Sequence, residues 1–152
     1  MRTKLKYGFI DCITLDVIEQ SNGFSISNRE ELMANPFVHI ELHTHQPEKA
    51  KKFYGELFDW TLEDVPDMDY TLIKVGEGTG GGMMQTPMPQ EGHPQWVPYI
   101  LVEDVDASTA KAKSLGAKVL MDVTEIPDIG RFSMFLDPTG AAFALFEPKM
   151  PA

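Results

Sequence analysis

Residues 39–57 spell HIELHTHQPEKAKKFYGEL, and residues 97–115 spell VPYILVEDVDASTAKAKSL. Both stretches follow one pattern: a short alternating segment typical of a strand, then a turn, then apolar residues at helical spacing. The offset between them is 58 residues at both ends, from 39 to 97 and from 57 to 115. A constant offset indicates a duplicated module. A module that pairs with its own copy forms a cleft, so the residues lining that cleft are expected to decide the function.

Apolar segments with interspersed glycines follow both stretches and complete each module. The strands predicted for the rest of module 1, residues 36–88, are Trp60–Glu63, Tyr70–Val75 and Gly80–Gln85. Those predicted for the rest of module 2, residues 96–149, are Lys118–Met121, Arg131–Leu136 and Ala141–Phe146. Each module is thus predicted to be a β-α-β-β-β unit, which makes the chain an α+β protein.

The first helix has a clear start and an apolar stripe. Pro47 lies in its first turn, where no hydrogen-bond donor is needed, and Glu48 lies near the positive end of the helix dipole. The stripe predicted to be buried, with residues at i, i+3, i+4 and i+7, consists of Ala50, Phe53, Tyr54 and Leu57. The second helix is predicted from about Val105 to Leu115.

Two segments lie outside the repeat. Residues 1–35 are predicted to form an N-terminal extension of strand, turn and short helix, ahead of a main domain at residues 36–150. Three roles stay open for the extension: it packs on the domain, pairs with a partner chain, or is partly disordered. Residues 86–95, rich in proline, are predicted to link the two modules.

Composition and charge narrow the function classes. The 152 residues suffice for a hydrophobic core, and no apolar run approaches the ~20 residues that cross a bilayer, so no membrane partner is expected. A net charge of −10, with dispersed lysines and arginines, argues against nucleic acid as a partner. One cysteine, Cys12, cannot form an internal disulfide, so the expected compartment is the cytoplasm.

The first strand presents polar side chains on one face. In VHIELH, residues 38–43, the even positions are apolar and the odd positions are polar. Successive side chains of a strand point to opposite faces, so one face meets the core and the other carries His39, Glu41 and His43.

A duplicated unit with these segments in this order resembles the vicinal oxygen chelate superfamily, which includes glyoxalase I, extradiol dioxygenases and bleomycin-resistance proteins. The likeness covers Pro36 to Pro148 and is greatest to the glyoxalase-like single-domain proteins. The segments that carry it are His39, Phe53-Tyr54, residues 57–60, residues 102–106, residues 130–132 and residues 137–140. The resemblance implies two tandem modules that form a curved mixed sheet around a cleft. It also implies a homodimer, with the modules paired inside one chain or exchanged between chains.

In its metal-using members this fold holds a divalent ion with four side chains, and the resemblance places those positions at His39, Met83, Val97 and Ala144. Only His39 could bind a metal ion among them. Thioether, isopropyl and methyl groups do not satisfy a divalent cation that needs imidazole, carboxylate or thiolate donors. No metal cofactor is therefore expected. The alternative is a divalent metal held by His39 with Glu41 or His43, although three donors along one strand do not readily surround an ion.

Without a metal, the cleft is expected to be an apolar pocket with a few polar anchors, the usual form of a small-molecule site. The residues predicted to line it are His39, Glu41, Met83, Trp96, Val97, Tyr99, Arg131 and Ala144. Arg131 is included on the condition that the last hairpin pairs Phe135 with Ala142, since a bulge would reverse its direction. The alternative is that these side chains form only a well-packed core between two sheets.

The predicted function is that of a glyoxalase-like protein that binds a small organic molecule, as a binding or sequestering module or as an enzyme of unassigned substrate. For an enzyme, the catalytic residues are predicted to be Glu41 and His39. Burial would raise the pKa of Glu41 toward that of a general base, and His39 would orient it or exchange protons with it, as in an isomerase or lyase. The alternative is a metal-dependent lyase, isomerase or dioxygenase of the glyoxalase type.

Overall fold

A computed structural model describes residues 35–66, 68–85 and 93–149. Residues 1–34 of the predicted extension and residues 86–92 of the predicted linker lie outside these ranges. Module 1 consists of β1 (Phe37–Thr44), α1 (Pro47–Leu57), β2 (Thr61–Asp64), β3 (Tyr70–Lys74) and β4 (Gly81–Gln85). Module 2 consists of β5 (Gln95–Leu101), α2 (Val105–Ser114), β6 (Lys118–Ile126), β7 (Gly130–Leu136) and β8 (Ala142–Pro148). The predicted α+β class and the β-α-β-β-β order are confirmed.

All eight strands belong to one mixed sheet with the order β2-β3-β4-β1-β5-β8-β7-β6. Each module contributes four adjacent strands, and the first strands of the modules, β1 and β5, pair antiparallel in the middle of the sheet. Within each module the first and last strands run parallel, which requires the helical crossover between them. The two modules therefore join edge to edge within one chain.

The two faces of the sheet differ in what covers them. Helix α1 packs on β2 and β4, and α2 packs on β6, β7 and β8, all on the same side, here called the helix face. On the opposite side, Val97, Tyr99 and Ala144 are buried although neither described helix lies over them. A curved sheet encloses part of its own inner face, which contributes to this burial. That side is here called the concave face.

A bulge in β1 sets the start of the concave face. Phe37 pairs with Ile100 and His39 pairs with Tyr99, so the register between the strands shifts at Val38. The extra residue lets Val38 turn inward and pack with Val97 and Tyr99. From His39 onward the strand alternates regularly.

The predicted stripe of α1 is only half buried. Ala50 and Tyr54 pack against a core of β-strand residues, as predicted. Phe53 and Leu57 are exposed, so the prediction was wrong for them. The reason is that α1 packs mainly on β2 and β4 and meets the central strands through Ala50 and Tyr54, so only a narrow side of the helix faces the sheet. Neither described helix is long and apolar enough to span a membrane.

Candidate functional site

Strand β1 directs three polar side chains into the buried interior of the concave face. His39, Glu41 and His43 are all almost completely inaccessible to solvent. Across the strand pair, Glu41 lies opposite Val97 and His39 lies opposite Tyr99. Burying a charged or polar group without partners costs several kcal/mol, so these groups are expected to bond to one another.

Hydrogen bonds join these side chains to two tyrosines. The Tyr99 hydroxyl donates to Glu41 Oε2 at 2.8 Å, and His43 Nε2 donates to the same oxygen at 2.7 Å. His39 Nε2 lies 2.9 Å from the Tyr70 hydroxyl and 4.0 Å from Glu41 Oε1. His39, Glu41, His43, Tyr70 and Tyr99 together are called the polar network below.

Burial and partners act in opposite directions on the pKa of Glu41. Burial raises this pKa, but the hydrogen bond from His43, the charges of His39 and His43 and the hydrogen bond from Tyr99 outweigh it, and the pKa is lowered. The expectation of a raised pKa, made from burial alone, was wrong. Burial lowers the pKa of His39, against the charge of Glu41, and burial first, then Glu41, raises the pKa of Tyr99 well above its ordinary value. The directions favour an ionised Glu41 carboxylate beside a neutral Tyr99 phenol at neutral pH.

Apolar and aromatic side chains surround the network. The His39 and Tyr99 rings meet edge to face with centroids 5.5 Å apart, and Phe132 lies 6.1 Å beyond Tyr99. The other apolar residues of this cluster are Val38, Val97, Leu101, Ile126, Ile129, Met134, Ala142, Ala144 and Phe146. A carboxylate held in such surroundings has little water to screen it, so its charge acts strongly on anything that enters.

Five of the eight side chains predicted to line the cleft lie together on the concave face. They are His39, Glu41, Val97, Tyr99 and Ala144. The other three point to the helix face. Met83 packs against Leu42 and Ile73 there, because the β4 residue beside Glu41 is Gly82.

Trp96 and Arg131 were predicted to line the cleft, but both lie on the helix face. Trp96 pairs with Leu42 on the helix face, where its ring lies 5.4 Å from that of Tyr54. The last hairpin pairs Phe135 with Phe143, one residue away from the pairing on which the prediction for Arg131 depended. Arg131 accordingly extends over the helix face and donates to Asp106 at 2.6 Å and to Glu147 at 2.8 Å.

Tyr70 was not predicted to belong to the site. The only hint of this tyrosine in the sequence is indirect and comes from the glycines of β4. A Cβ atom at Gly82 would overlap the Tyr70 hydroxyl and ring, so only glycine leaves room for this tyrosine to reach His39. Glycines in a strand do indicate a close approach, but they do not identify the approaching side chain.

The donor set does not fit the family's metal centre. Of its four positions, only His39 bears a ligand, and moving the β4 position from Met83 to its concave-face neighbours brings glycine or methionine. The other arrangement, His39 with Glu41 or His43, competes with the hydrogen bonds that His39 Nε2 makes to Tyr70 and His43 Nε2 makes to Glu41. In the described ranges no group of three His, Cys, Asp or Glu side chains is arranged to hold an ion.

The pKa directions predict that acid destabilises the fold. A carboxylate with a lowered pKa, such as Glu41, contributes stability above its unfolded pKa and loses it as the pH falls through the folded pKa. For His39, lowered from 6.5, the unfolded chain gains the proton first, so stability is lost as the pH falls below 6.5. Urea unfolding between neutral and acidic pH should show this decline, by at most about 1.4 kcal/mol per pH unit for each group. In His39→Gln the free energy of unfolding should fall less steeply just below pH 6.5 than in the wild type. A decline as steep as that of the wild type would contradict the lowered pKa of His39.

Comparisons with known proteins agree with the topology. The sequence matches the profile of the Glyoxalase/Bleomycin resistance protein/Dioxygenase superfamily over residues 37–145. "Putative glyoxylase CFP32" of Mycobacterium tuberculosis is 38% identical over 112 residues, which cover 71% of this chain and 42% of that protein. "Anthracycline biosynthesis protein DnrV" of Streptomyces peucetius is 32% identical over 110 residues, which cover 62% of this chain and 40% of that protein. The chain spans about two fifths of the length of these relatives.

Solved structures show the same fold at low identity. The Mn(II)-bound glyoxalase from Novosphingobium aromaticivorans has a TM-score of 0.55 at 16% identity, over 78% of this chain and 42% of that chain. A methylmalonyl-CoA epimerase from Streptomyces coelicolor, in complex with 2-nitronate-propionyl-CoA, has a TM-score of 0.55 at 14% identity, over 76% of this chain and 99% of that chain. With the fold and the profile in agreement, the chain belongs to the Glyoxalase/Bleomycin resistance protein/Dioxygenase superfamily, as its two β-α-β-β-β modules lead one to expect.

Proposed function

We propose that this protein binds a small organic molecule on its concave face without a metal ion, as a binding protein or as an enzyme. One observation carries the proposal. An ionised carboxylate, Glu41, is buried between Tyr99 and His43 in apolar surroundings. A buried charge is costly, and proteins commonly keep such groups where a ligand or a reaction needs them. The single cysteine is compatible with binding in the reducing cytoplasm.

The charge of the network limits the chemistry of the ligand. In the described part of the chain, no lysine or arginine pairs with Glu41, His43 or Tyr99. A carboxylate with no lysine or arginine beside it repels anions and attracts cations and hydrogen-bond donors. The ligand is therefore a neutral or basic molecule with an apolar body. Both hydrogen bonds to Glu41 fall on Oε2, so Oε1 is the oxygen that a ligand N–H or O–H would reach.

Binding is better supported than general-base catalysis. A lowered pKa makes Glu41 a weaker base than the sequence suggested. If turnover is found, Glu41 is the proposed proton acceptor, and His39, held by Tyr70, is the proposed partner that orients the substrate.

A metal-dependent lyase, isomerase or dioxygenase is the second candidate, because His39 Nε2 and Glu41 Oε1 lie 4.0 Å apart. Small movements would bring both atoms to one ion, but the chain supplies no further donor at the matching positions in module 2, Val97 and Ala144. The metal-free site is therefore preferred.

Ligand binding is tested with matched pairs of small aromatic compounds, a phenol or aromatic amine against the corresponding carboxylic acid, by thermal shift and calorimetry. The neutral or basic member of each pair should bind and the carboxylate should not. Glu41→Gln should weaken binding about 10- to 100-fold, since a hydrogen bond to a charged group contributes roughly 1.5–3 kcal/mol. Arg131→Gln, on the helix face, is the matched control and should bind normally.

Two results would overturn the proposal. The first is preferential binding of the carboxylates, or binding that Glu41→Gln leaves unchanged. The second is stoichiometric zinc, nickel, manganese or iron in the dialysed protein, lost in His39→Gln, which would establish the metal-dependent alternative.

A further inference from the structure

Two clusters of apolar side chains share the concave face, one on each side of β1. One cluster surrounds Tyr99 and comes mostly from module 2. The other, called the module 1 cluster below, consists of Val65, Tyr70, Leu72 and Met84. Strand pairing shows where it lies: Leu72 is opposite Gly82, and Gly82 is opposite Glu41. Side chains of paired residues point to the same face, so Gly82 lies between the module 1 cluster and the buried carboxylate.

The ring of Tyr70 fills the space that Gly82 leaves. A Cβ atom at Gly82 would overlap the hydroxyl and ring of Tyr70, so the end of this ring lies directly over the glycine. The Tyr70 hydroxyl lies 2.9 Å from His39 Nε2, and that nitrogen lies 4.0 Å from Glu41 Oε1. Tyr70 therefore lies between Leu72 and Glu41, on the side of the carboxylate where Oε1 is found.

We propose that Tyr70 limits the size of the groups that a ligand can carry beside the N–H or O–H donor that binds Glu41. This inference rests on the function proposed for the concave face, in which Glu41 Oε1 accepts that donor. A donor atom that bonds to Oε1 lies about 3 Å from it. Because His39 Nε2 is 4.0 Å from the same oxygen and is bonded to Tyr70, substituents on this side of the donor meet the Tyr70 side chain. Protein interiors are packed too closely to absorb them.

The expected class of ligand follows from the position of Tyr70. A molecule with an unsubstituted polar end can place its donor at Oε1 and its apolar body toward the cluster around Tyr99. A molecule that is branched on both sides of the donor always directs one branch toward Tyr70. The size limit therefore selects slender polar ends, and it depends on the volume that is filled above Gly82 rather than on the hydroxyl group.

Two series of aromatic amines measure this size limit by calorimetry. The anilines of one series carry methyl or ethyl groups at positions 2 and 6, on both sides of the amino group, and those of the other carry the same group at position 4. With the wild type, the 2,6-dialkyl compounds should bind at least about 10-fold more weakly than aniline, because overpacking of a closed interior is costly. The 4-alkyl compounds should bind at least as tightly as aniline, since their alkyl groups point away from Tyr70.

Tyr70→Ala should remove the size limit. The truncation leaves a space beside Leu72 and Met84, and an engineered apolar cavity of about 150 Å³ takes up benzene. This variant should bind 2,6-dimethylaniline about 10-fold more tightly than the wild type does. It should bind the diethyl compound about fourfold more tightly than the dimethyl compound, the gain from burying one CH₂ group. Tyr70→Leu should show a smaller gain in the same direction, and it replaces Tyr70→Ala if that variant does not fold.

Three further variants separate the volume of the ring from other causes. Tyr70→Phe retains the ring without the hydroxyl and should keep the size limit. Gly82→Val added to Tyr70→Ala should restore the limit, because the atoms nearest to a Cβ at Gly82 all belong to the Tyr70 ring and hydroxyl, which Tyr70→Ala removes. Tyr54→Ala is the matched control, since it removes a tyrosine of module 1 from the helix face, and it should bind both series like the wild type. Circular dichroism shows which variants are folded.

The outcomes distinguish this inference from the function on which it rests. If the wild type binds neither aniline nor its 4-alkyl derivatives, the proposed function is contradicted and the role of Tyr70 with it. If these compounds bind, but the 2,6-dialkyl compounds are disfavoured equally in the wild type and in Tyr70→Ala, only the role of Tyr70 is overturned. A size limit that Tyr70→Phe abolishes would also overturn it, because the hydroxyl and not the volume of the ring would then be the cause.

Discussion

Glu41→Leu is expected to lower the free energy of unfolding by about 3 to 5 kcal/mol, the cost of removing one partner from a buried charged pair. The leucine side chain fits an apolar site, so the loss does not come from packing. It comes from the Tyr99 hydroxyl and the His43 N–H, both of which lose their acceptor while they remain buried. Each unsatisfied buried donor costs roughly 1–3 kcal/mol. Urea unfolding at neutral pH measures the change.

A double-mutant cycle separates this cause from general damage. Tyr99→Phe alone should cost about 1 kcal/mol, because Glu41 keeps its bond from His43. Glu41→Leu combined with Tyr99→Phe should cost less than the sum of the two single losses, since the double variant has no Tyr99 hydroxyl left to lose its acceptor. Glu63→Leu is the matched control: its carboxylate pairs with Lys74 on the exposed edge of the sheet, and its removal should change stability by at most about 0.5 kcal/mol. Additive losses at Glu41 and Tyr99 would show that the two groups do not interact.

The cycle also bears on function. An apolar replacement of a whole buried ionic group is often neutral or stabilising, so such groups are weak evidence of a structural role. If the double variant recovers much of the stability, the carboxylate is not needed for folding, and ligand binding becomes the better reason for its presence.

The module order could be predicted because its signals are local. Alternation in β1 and the proline that opens α1 each concern a few neighbouring residues, and the constant offset between modules compares two such short stretches. The inward direction of His39 and Glu41 follows from the same alternation, with no knowledge of the partner strand. These are the parts of the site that the sequence could place.

The faces of Met83 and Arg131 could not be predicted, because they depend on pairing with distant strands. A strand has a side-chain period of two, so an error of one residue in the register moves a side chain to the opposite face. Such an error occurred in the β7–β8 hairpin, where Phe135 pairs with Phe143 and not with Ala142. It occurred again in β4, where Gly82 and not Met83 lies beside Glu41.

The pKa of Glu41 could not be predicted for the same physical reason. Its burial follows from the pattern of β1, but the direction of the shift depends on the partners as well as on burial. Tyr99 lies 58 residues away in sequence, and Tyr70, which completes the network at His39, lies 31 residues from its partner. Only the paired sheet brings these groups together.

The glycines of β4 give the second large effect. Gly81→Ala is expected to lower the free energy of unfolding by about 3 kcal/mol or more, at the upper end of the cost of overpacking. A Cβ atom at Gly81 would overlap the carbonyl oxygen of Ile40, which is backbone and cannot rotate away. Strands β1 and β4 would have to separate there. This would weaken the parallel pairing between the first and last strands of module 1.

Two other glycines show whether backbone overlap is the cause. At Gly82 the overlap is with the Tyr70 side chain, which can swing aside, so Gly82→Ala should cost only about 1–3 kcal/mol, mostly through loss of the bond between Tyr70 and His39. Gly55 lies inside α1 with only an ordinary contact at 3.5 Å, so Gly55→Ala should stabilise the protein by about 0.5–1 kcal/mol. Unfolding curves for the three variants should therefore rank Gly81→Ala, Gly82→Ala and Gly55→Ala in order of increasing stability. If Gly81→Ala proved as stable as Gly55→Ala, β1 and β4 could not be paired in this register, and the position of Gly82 beside Glu41 would be wrong as well.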